Sequence, residues 1–218
     1  YVSPLIAACD YKRAYDNDLG PNTGGMGGYS PPYSYNTSLN QEINSKIMTP
    51  TIHEMALNNT PFSGILYGGL ILTNSGPKVI EFNCRFGDPE AQILLPLLNS
   101  NLLEICQAGS ENILNKSEIR WSSNSSVGIV IVSEGYPNNY EVNNEITIGN
   151  VNNNCTIFHN GTQFDNDNNL VTVGGRVATV VATNTNIENA RKDAYDAIES
   201  IKFSDSFYRK DIAKTTDR

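Results

Sequence analysis

The stretch Lys78–Glu90, KVIEFNCRFGDPE, constrains this chain more than any other. Read as a strand, Lys78–Arg85 sends alternate side chains to opposite faces. Ile80, Phe82 and Cys84 then share an apolar face fit for burial, while Glu81, Asn83 and Arg85 share a polar one. A carboxylate, a carboxamide and a guanidinium in one row stabilise a core poorly, because each needs a partner once it leaves water. The same row suits a place where a divalent cation meets a phosphate. Mg²⁺ prefers oxygen donors, takes one or two from protein and fills its remaining positions with phosphate and water. Glu81 and Asn83 supply such a half-site. Arg85 offers a planar fork to a phosphate or carboxylate, or to an oxyanion as charge develops. Taken alone, Glu81-x-Asn83 also describes the solvent face of a surface strand, and Arg85 also fits a salt bridge to Asp88 or Glu90.

A second feature is the loop Gly20-Pro21-Asn22-Thr23-Gly24-Gly25-Met26-Gly27-Gly28. Successive glycines let backbone N–H groups converge on an anion. The spacing matches neither the P-loop nor the dinucleotide fingerprint, and a mobile linker has the same composition. Lys12 and Arg13 precede the loop, with Asp16 and Asp18 diluting their charge.

Around these features the chain reads as follows. Val2–Cys9 is strand-like, and Asp10–Tyr35 is an ordered loop or lid. Ser38 caps a helix that runs towards Asn58 and is kinked or interrupted at Pro50. Phe62–Thr73 and Lys78–Cys84 form a hairpin about the turn Asn74–Pro77. Asp88-Pro89-Glu90 opens a helix with Asp88 as its cap, carrying an apolar stripe of Ile93, Leu94, Leu97 and Leu98. Another helix spans Leu102–Ala108. Beyond a boundary at residues 115–123, Ser126–Ser133, Cys155–His159, Leu170–Val173 and Gly175–Thr183 are strand-like. Ile187–Ile201 is a helix buried through Ala190, Ala194, Ala197, Ile198 and Ile201.

The formal net charge is -8 with no Lys/Arg cluster, which argues against a nucleic-acid surface. No apolar run approaches the ~20 residues of a membrane helix. The 29 asparagines stand in short runs between apolar segments and read as loops. Cys9, Cys84, Cys106 and Cys155 form no C-x-x-C pair and read as buried, reduced thiols of a cytoplasmic protein. His53 and His159 are isolated and make no metal-ligand spacing.

Three blocks, DYKRAYDNDLGPNTGGMGGYSP (Asp10–Pro31), GILYGGLILTNSGPKVIEFNCRFGDPEAQ (Gly64–Gln92) and YRKDI (Tyr208–Ile212), closely resemble the glycinamide ribonucleotide synthetases, or phosphoribosylamine–glycine ligases. VGGRVATV (Val173–Val180) is similar to that family's C-terminal domain. The resemblance implies an α+β fold: a partial ATP-grasp core at residues 1–120, then a β-rich domain with one helix at residues 121–218. It implies a reaction of ATP, glycine and 5-phosphoribosylamine through a glycyl phosphate in purine synthesis, with Mg²⁺ or Mn²⁺. It makes Glu81 and Asn83 the metal ligands and Arg85 the catalytic residue. It assigns Asp10, Lys12, Asn22, Thr23, Gly24, Gly25, Gly27 and Asp88 to substrate. Many ATP-grasp relatives carry a further acidic ligand on the preceding strand, whereas Ile65–Thr73 has no acid. The family's N-terminal domain and nucleotide lid precede the Asp10 block, so this chain is expected to be a C-terminal portion, inactive alone, of a synthetase that some organisms fuse to later purine enzymes. Another carboxylate–amine ligase would share the Glu81/Asn83 half-site, and a non-catalytic module would tolerate its loss.

Overall fold

A computed structural model describes residues 1–214, which divide into two compact units. Tyr1–Ala7, Tyr33–Gly87 and Leu98–Ser122 form the first, and Ala8–Pro32, Asp88–Leu97 and the chain from Ser123 form the second.

The first unit is built from helices and a hairpin. Its first helix, Thr37–Ile43, starts two residues earlier than the sequence suggests. Asn36 is the cap, accepting the Leu39 N–H at 2.9 Å, and Ser38 lies inside the helix. Pro50 does not interrupt the path, since the backbone stays helical from Ile43 to Thr49. The Asn44–Met48 turn widens instead, and the Thr49 N–H reaches back five residues to the Asn44 carbonyl. That wider register places Pro50 in the opening turn of Thr49–Leu57, where its missing N–H costs little. Tyr67–Thr73 and Gly76–Asn83 pair antiparallel as expected, from Tyr67 opposite Asn83 to Thr73 opposite Gly76. The turn is shorter than expected, only Asn74-Ser75, because Gly76 already pairs at a φ of 91° that suits glycine. The expected apolar face is not covered within this unit: Ile80 is 68% and Phe82 38% exposed. Leu102–Ser110 is a helix capped by Asn101, and a bridge between Leu98 and Trp121 closes the unit.

The second unit is an antiparallel sheet with a helix on each face. Its strand order is Cys9–Asp10, Gly27–Ser30, Ser125–Ser133, Arg176–Asn184, Cys155–His159, with Ser206–Phe207 also paired to Ser125–Ser133. Two expectations fail here. Val2–Cys9 yields a strand only at Cys9–Asp10, and the supposed loop Asp10–Tyr35 contains the Arg13–Tyr15/Leu19–Asn22 hairpin and the Gly27–Ser30 strand. Ser125–Ser133 is buried along its whole length, which is why Val127–Val132 carries no alternation of apolar and polar residues. Against one face packs Ile187–Ile198, capped by Asn186, with Ala190, Ala194, Ala197 and Ile198 buried. Small alanines let this helix approach the sheet closely. The helix ends at Ile198, and Ile201 is buried instead from a short strand paired with Ile148.

On the other face, Ile93 of the Glu90–Leu94 helix is fully buried. It fits because Gly28 and Gly128 sit opposite each other in the ladder. A Cβ on Gly128 would come within 2.7 Å of Ile93 Cγ1. No disulfide joins the four cysteines; only Cys155 is buried, while Cys84 and Cys106 are exposed, so the buried-thiol expectation holds for one. No helix among the described residues is long and apolar enough to cross a membrane.

Candidate functional site

In the first unit the polar row forms. Glu81 stands on the strand opposite Gly69, Asn83 ends it, and Arg85 follows. The Asn83 Nδ2 donates to Glu81 Oε1 at 3.0 Å, and Arg85 Nη2 reaches Asn83 Oδ1 at 3.5 Å. The two-residue repeat of the strand puts Glu81 and Asn83 on one side, and the contact with Asn83 brings the Arg85 side chain to the same side although Arg85 lies beyond the strand. Gly69 makes room for the row: a Cβ there would lie 3.1 Å from Glu81 Cγ. Arg85 also donates to the Phe86 carbonyl at 2.8 Å. Chemically the row is a carboxylate and a carboxamide already side by side, with a cation at one end.

In the second unit Asp10, Lys12, the loop and Asp88 come together. Lys12 forms an ion pair with Asp10, whose side chain is 10% exposed. Burial pushes the Asp10 carboxyl up to about 6, and the neighbouring Glu90, itself buried, adds to the rise while Lys12 opposes it. Asp88 is not the helix cap expected of it; Pro89 occupies that position without a side-chain bond. The Asp88 carboxylate instead binds Arg176 Nη2 at 2.7 Å and accepts Gln92 Nε2 at 3.0 Å. A guanidinium outcompetes the helix amides because its bond to a carboxylate is charge-assisted.

The loop departs from the anion cradle expected of it. Its N–H groups are donated inside the protein: Thr23 to Lys12 O at 2.7 Å, Gly24 to Tyr136 Oη at 2.9 Å, Gly25 to Thr23 Oγ1 at 3.0 Å and Met26 to Tyr11 O at 2.8 Å. Asn22 pairs with Arg13 in the small hairpin and leaves its side chain exposed. Gly27 has a φ of 138° and lies against the Ile129 strand, where a Cβ would strike the Gly128 carbonyl at 2.4 Å. These glycines thus serve close backbone packing, and the loop is held firmly rather than left open.

Two residues of this assembly were not singled out from sequence. Arg176 Nη1 donates to the Gly24 carbonyl at 3.0 Å and the Asp88 carbonyl at 3.1 Å. Tyr136 holds the Gly24 N–H. Arg176 stands in the quoted block Val173–Val180, so the signal for it was an arginine at the mouth of an apolar strand. Tyr136, in a Gly-Tyr-Pro turn, carried none. No cluster of three His, Cys, Asp or Glu side chains able to hold a metal ion occurs among the described residues, and the row offers one carboxylate and one carboxamide only.

Comparison with known proteins matches residues 1–91 to the ATP-grasp (A) domain of phosphoribosylglycinamide synthetase and residues 126–215 to its C domain. The chain is 43% identical over 213 residues to the phosphoribosylamine–glycine ligase of Caldanaerobacter subterraneus subsp. tengcongensis, covering 97% of itself and 51% of that protein. It is 46% identical over 210 residues to a bifunctional purine biosynthetic protein of Schizosaccharomyces pombe, covering 96% of itself and 26% of that protein. Among solved structures, the phosphoribosylamine–glycine ligase of Thermotoga maritima superposes with a TM-score of 0.82 at 31% identity, over 94% of this chain and 50% of the other. The chain thus spans about half the length of the curated ligase it matches.

Proposed function

Because the chain belongs to the phosphoribosylglycinamide synthetase family, we propose that the enzyme of which it forms part joins glycine to 5-phosphoribosylamine at the expense of ATP. In this reading a glycine carboxylate oxygen attacks the γ-phosphorus, and ADP leaves with the bridging oxygen. The amine of phosphoribosylamine then attacks the carbonyl carbon of glycyl phosphate, phosphate leaves, and the amine loses a proton. The chemistry needs positioning and charge neutralisation more than covalent help.

The observation that carries the proposal is the hydrogen-bonded row Glu81–Asn83–Arg85. Glu81 and Asn83 supply two hard oxygens on one side of a strand, and they would hold a divalent ion, Mg²⁺ or Mn²⁺. Bound there, the ion would neutralise charge on phosphate oxygens. Arg85 would steady the carboxylate or the acyl phosphate with its two outer nitrogens. Asp10, Lys12, Asn22–Gly25, Gly27 and Asp88 would shape the substrate side through carbonyls, side chains and steric form, since the loop amides are engaged. We assign residues 1–120 to the ATP-grasp core and 121–218 to the C-terminal domain. The remaining ATP-binding half would come from a preceding part of the same enzyme, which we place in the cytoplasm and, in some lineages, in one polypeptide with later purine enzymes.

The test is ADP release by the full-length enzyme. It should require glycine and phosphoribosylamine together, and Glu81→Gln or Arg85→Ala should lower kcat/KM by roughly 100-fold or more. Equal release with other acids and amines would favour a different carboxylate–amine ligase, and wild-type rates in both variants would favour a non-catalytic module.

A further inference from the structure

We infer that Arg176 and Tyr136 are positioning residues that fix the glycine-rich loop in the shape substrate meets, an inference resting on the loop belonging to the substrate site as proposed above. Gly24 is held through both of its peptide groups. Its N–H goes to Tyr136 Oη at 2.9 Å, and its carbonyl accepts Arg176 Nη1 at 3.0 Å. The same guanidinium binds the Asp88 carbonyl at 3.1 Å and the Asp88 carboxylate at 2.7 Å. The donors of a guanidinium are fixed in one plane. Arg176 therefore sets the loop at Gly24 and the chain at Asp88 in a single frame, which a lysine cannot do.

The glycines around this tie are explained by it. A Cβ on Gly24 would lie 3.0 Å from Arg176 Cζ and 3.1 Å from Tyr136 Oη. A Cβ on Gly175 would lie 2.3 Å from Tyr136 Cδ2, so the ring sits where only a bare peptide leaves room. Tyr140 packs against the same ring at 6.2 Å between centroids. Glycines leave a chain with more backbone freedom to lose on binding. Removing that freedom beforehand lowers the cost of binding. Arg176 spends its charge on Asp88, so its effect on substrate runs through loop geometry and should appear in affinity.

The experiment uses the full-length synthetase with two readouts, steady-state kinetics and amide exchange at Gly24–Met26. Tyr136→Phe removes one hydroxyl, and Arg176→Gln removes the fork. Each should speed exchange at Gly24 and Gly25 by about tenfold, the scale of one lost hydrogen bond. Each should raise KM for glycine or phosphoribosylamine by about tenfold while kcat stays within about threefold. Exchange across Val127–Val132 should not change, which separates a loosened loop from a disturbed fold. Arg176→Lys should fall between wild type and Arg176→Gln. Unchanged exchange at Gly24 in Tyr136→Phe would overturn the tie. Faster exchange with unaltered KM, or a loss confined to kcat, would overturn its role towards substrate. A wild-type enzyme without glycine-dependent ADP release would sink the reaction instead, leaving the exchange data to judge the tie.

Discussion

Burial governs the Asp10 carboxyl. It pushes the group from 3.8 up to about 6, even though Lys12 pulls the other way. The folded protein therefore holds this proton more tightly than the unfolded chain does between those two values. The contribution of Asp10 to stability falls as pH rises through that window and stays low above it. A carbon-13 NMR titration of Asp10 should show a midpoint near 6, and Lys12→Met should move it higher. A midpoint at about 4, the ordinary value, would mean that water reaches the carboxylate. Among single residues, legibility in the sequence followed distance along the chain. The Glu81–Asn83–Arg85 row was readable because a strand repeats every two residues, so neighbours in the pattern are neighbours in space. The Arg176 and Tyr136 contacts were not readable, since Gly24 lies 152 and 112 positions from its two partners. Asp88 was misread for the same reason: its local sequence favours a cap, and a guanidinium 88 residues away takes the carboxylate.

Between elements, the same contrast separates what local chemistry dictates from what packing overrides. The Tyr67–Asn83 hairpin and the Ile187–Ile198 helix follow from turn residues and apolar spacing, and both formed, though the first strand starts at Tyr67 rather than Phe62 and the helix stops at Ile198 rather than Ile201. Gly27–Ser30 looked like loop because glycine is poor in strands. It is a strand because Ile93 needs the space that Gly28 and Gly128 leave. Gly128→Ala should therefore destabilise the second unit by about 1–3 kcal/mol, the cost of overpacking. Ile93→Ala, which removes the Cγ1 that the new methyl would strike, should make the double variant less destabilised than the sum of the two single losses. Additive losses in a double-mutant cycle would show that the two residues do not compete for the same volume. The first helix offers a second comparison. Asn36→Ala should cost about 1 kcal/mol, whereas Ser38→Ala, inside the helix, should change stability by less than half as much. The reverse ranking in urea unfolding would restore Ser38 as the cap.

At the scale of the whole molecule, the two units differ in how much apolar surface they hide. The connected core runs through the second unit, with Val127, Ile129, Val177, Val180, Ala190 and Ile198 fully buried. The first unit buries little beyond Ile43, Met48 and Ala108, while Ile71, Ile80 and Leu103 are more than half exposed. A two-stranded hairpin with an uncovered apolar face is marginal in water. Stability should therefore be uneven in the purified 218-residue chain. Amides of Val127–Val132 should exchange only on global unfolding, and those of Leu70–Phe82 should exchange at least about a hundredfold faster. The proposed metal ligands sit on that looser hairpin, so metal and nucleotide would first have to order it, and that ordering subtracts from their affinity. The isolated chain should accordingly bind ATP weakly and release no ADP above background, whereas the full-length enzyme should turn over and protect the hairpin. Equal protection across both regions of the 218-residue chain would show that the hairpin is already ordered, and glycine-dependent ADP release from that chain would show that it needs nothing more to carry out the reaction.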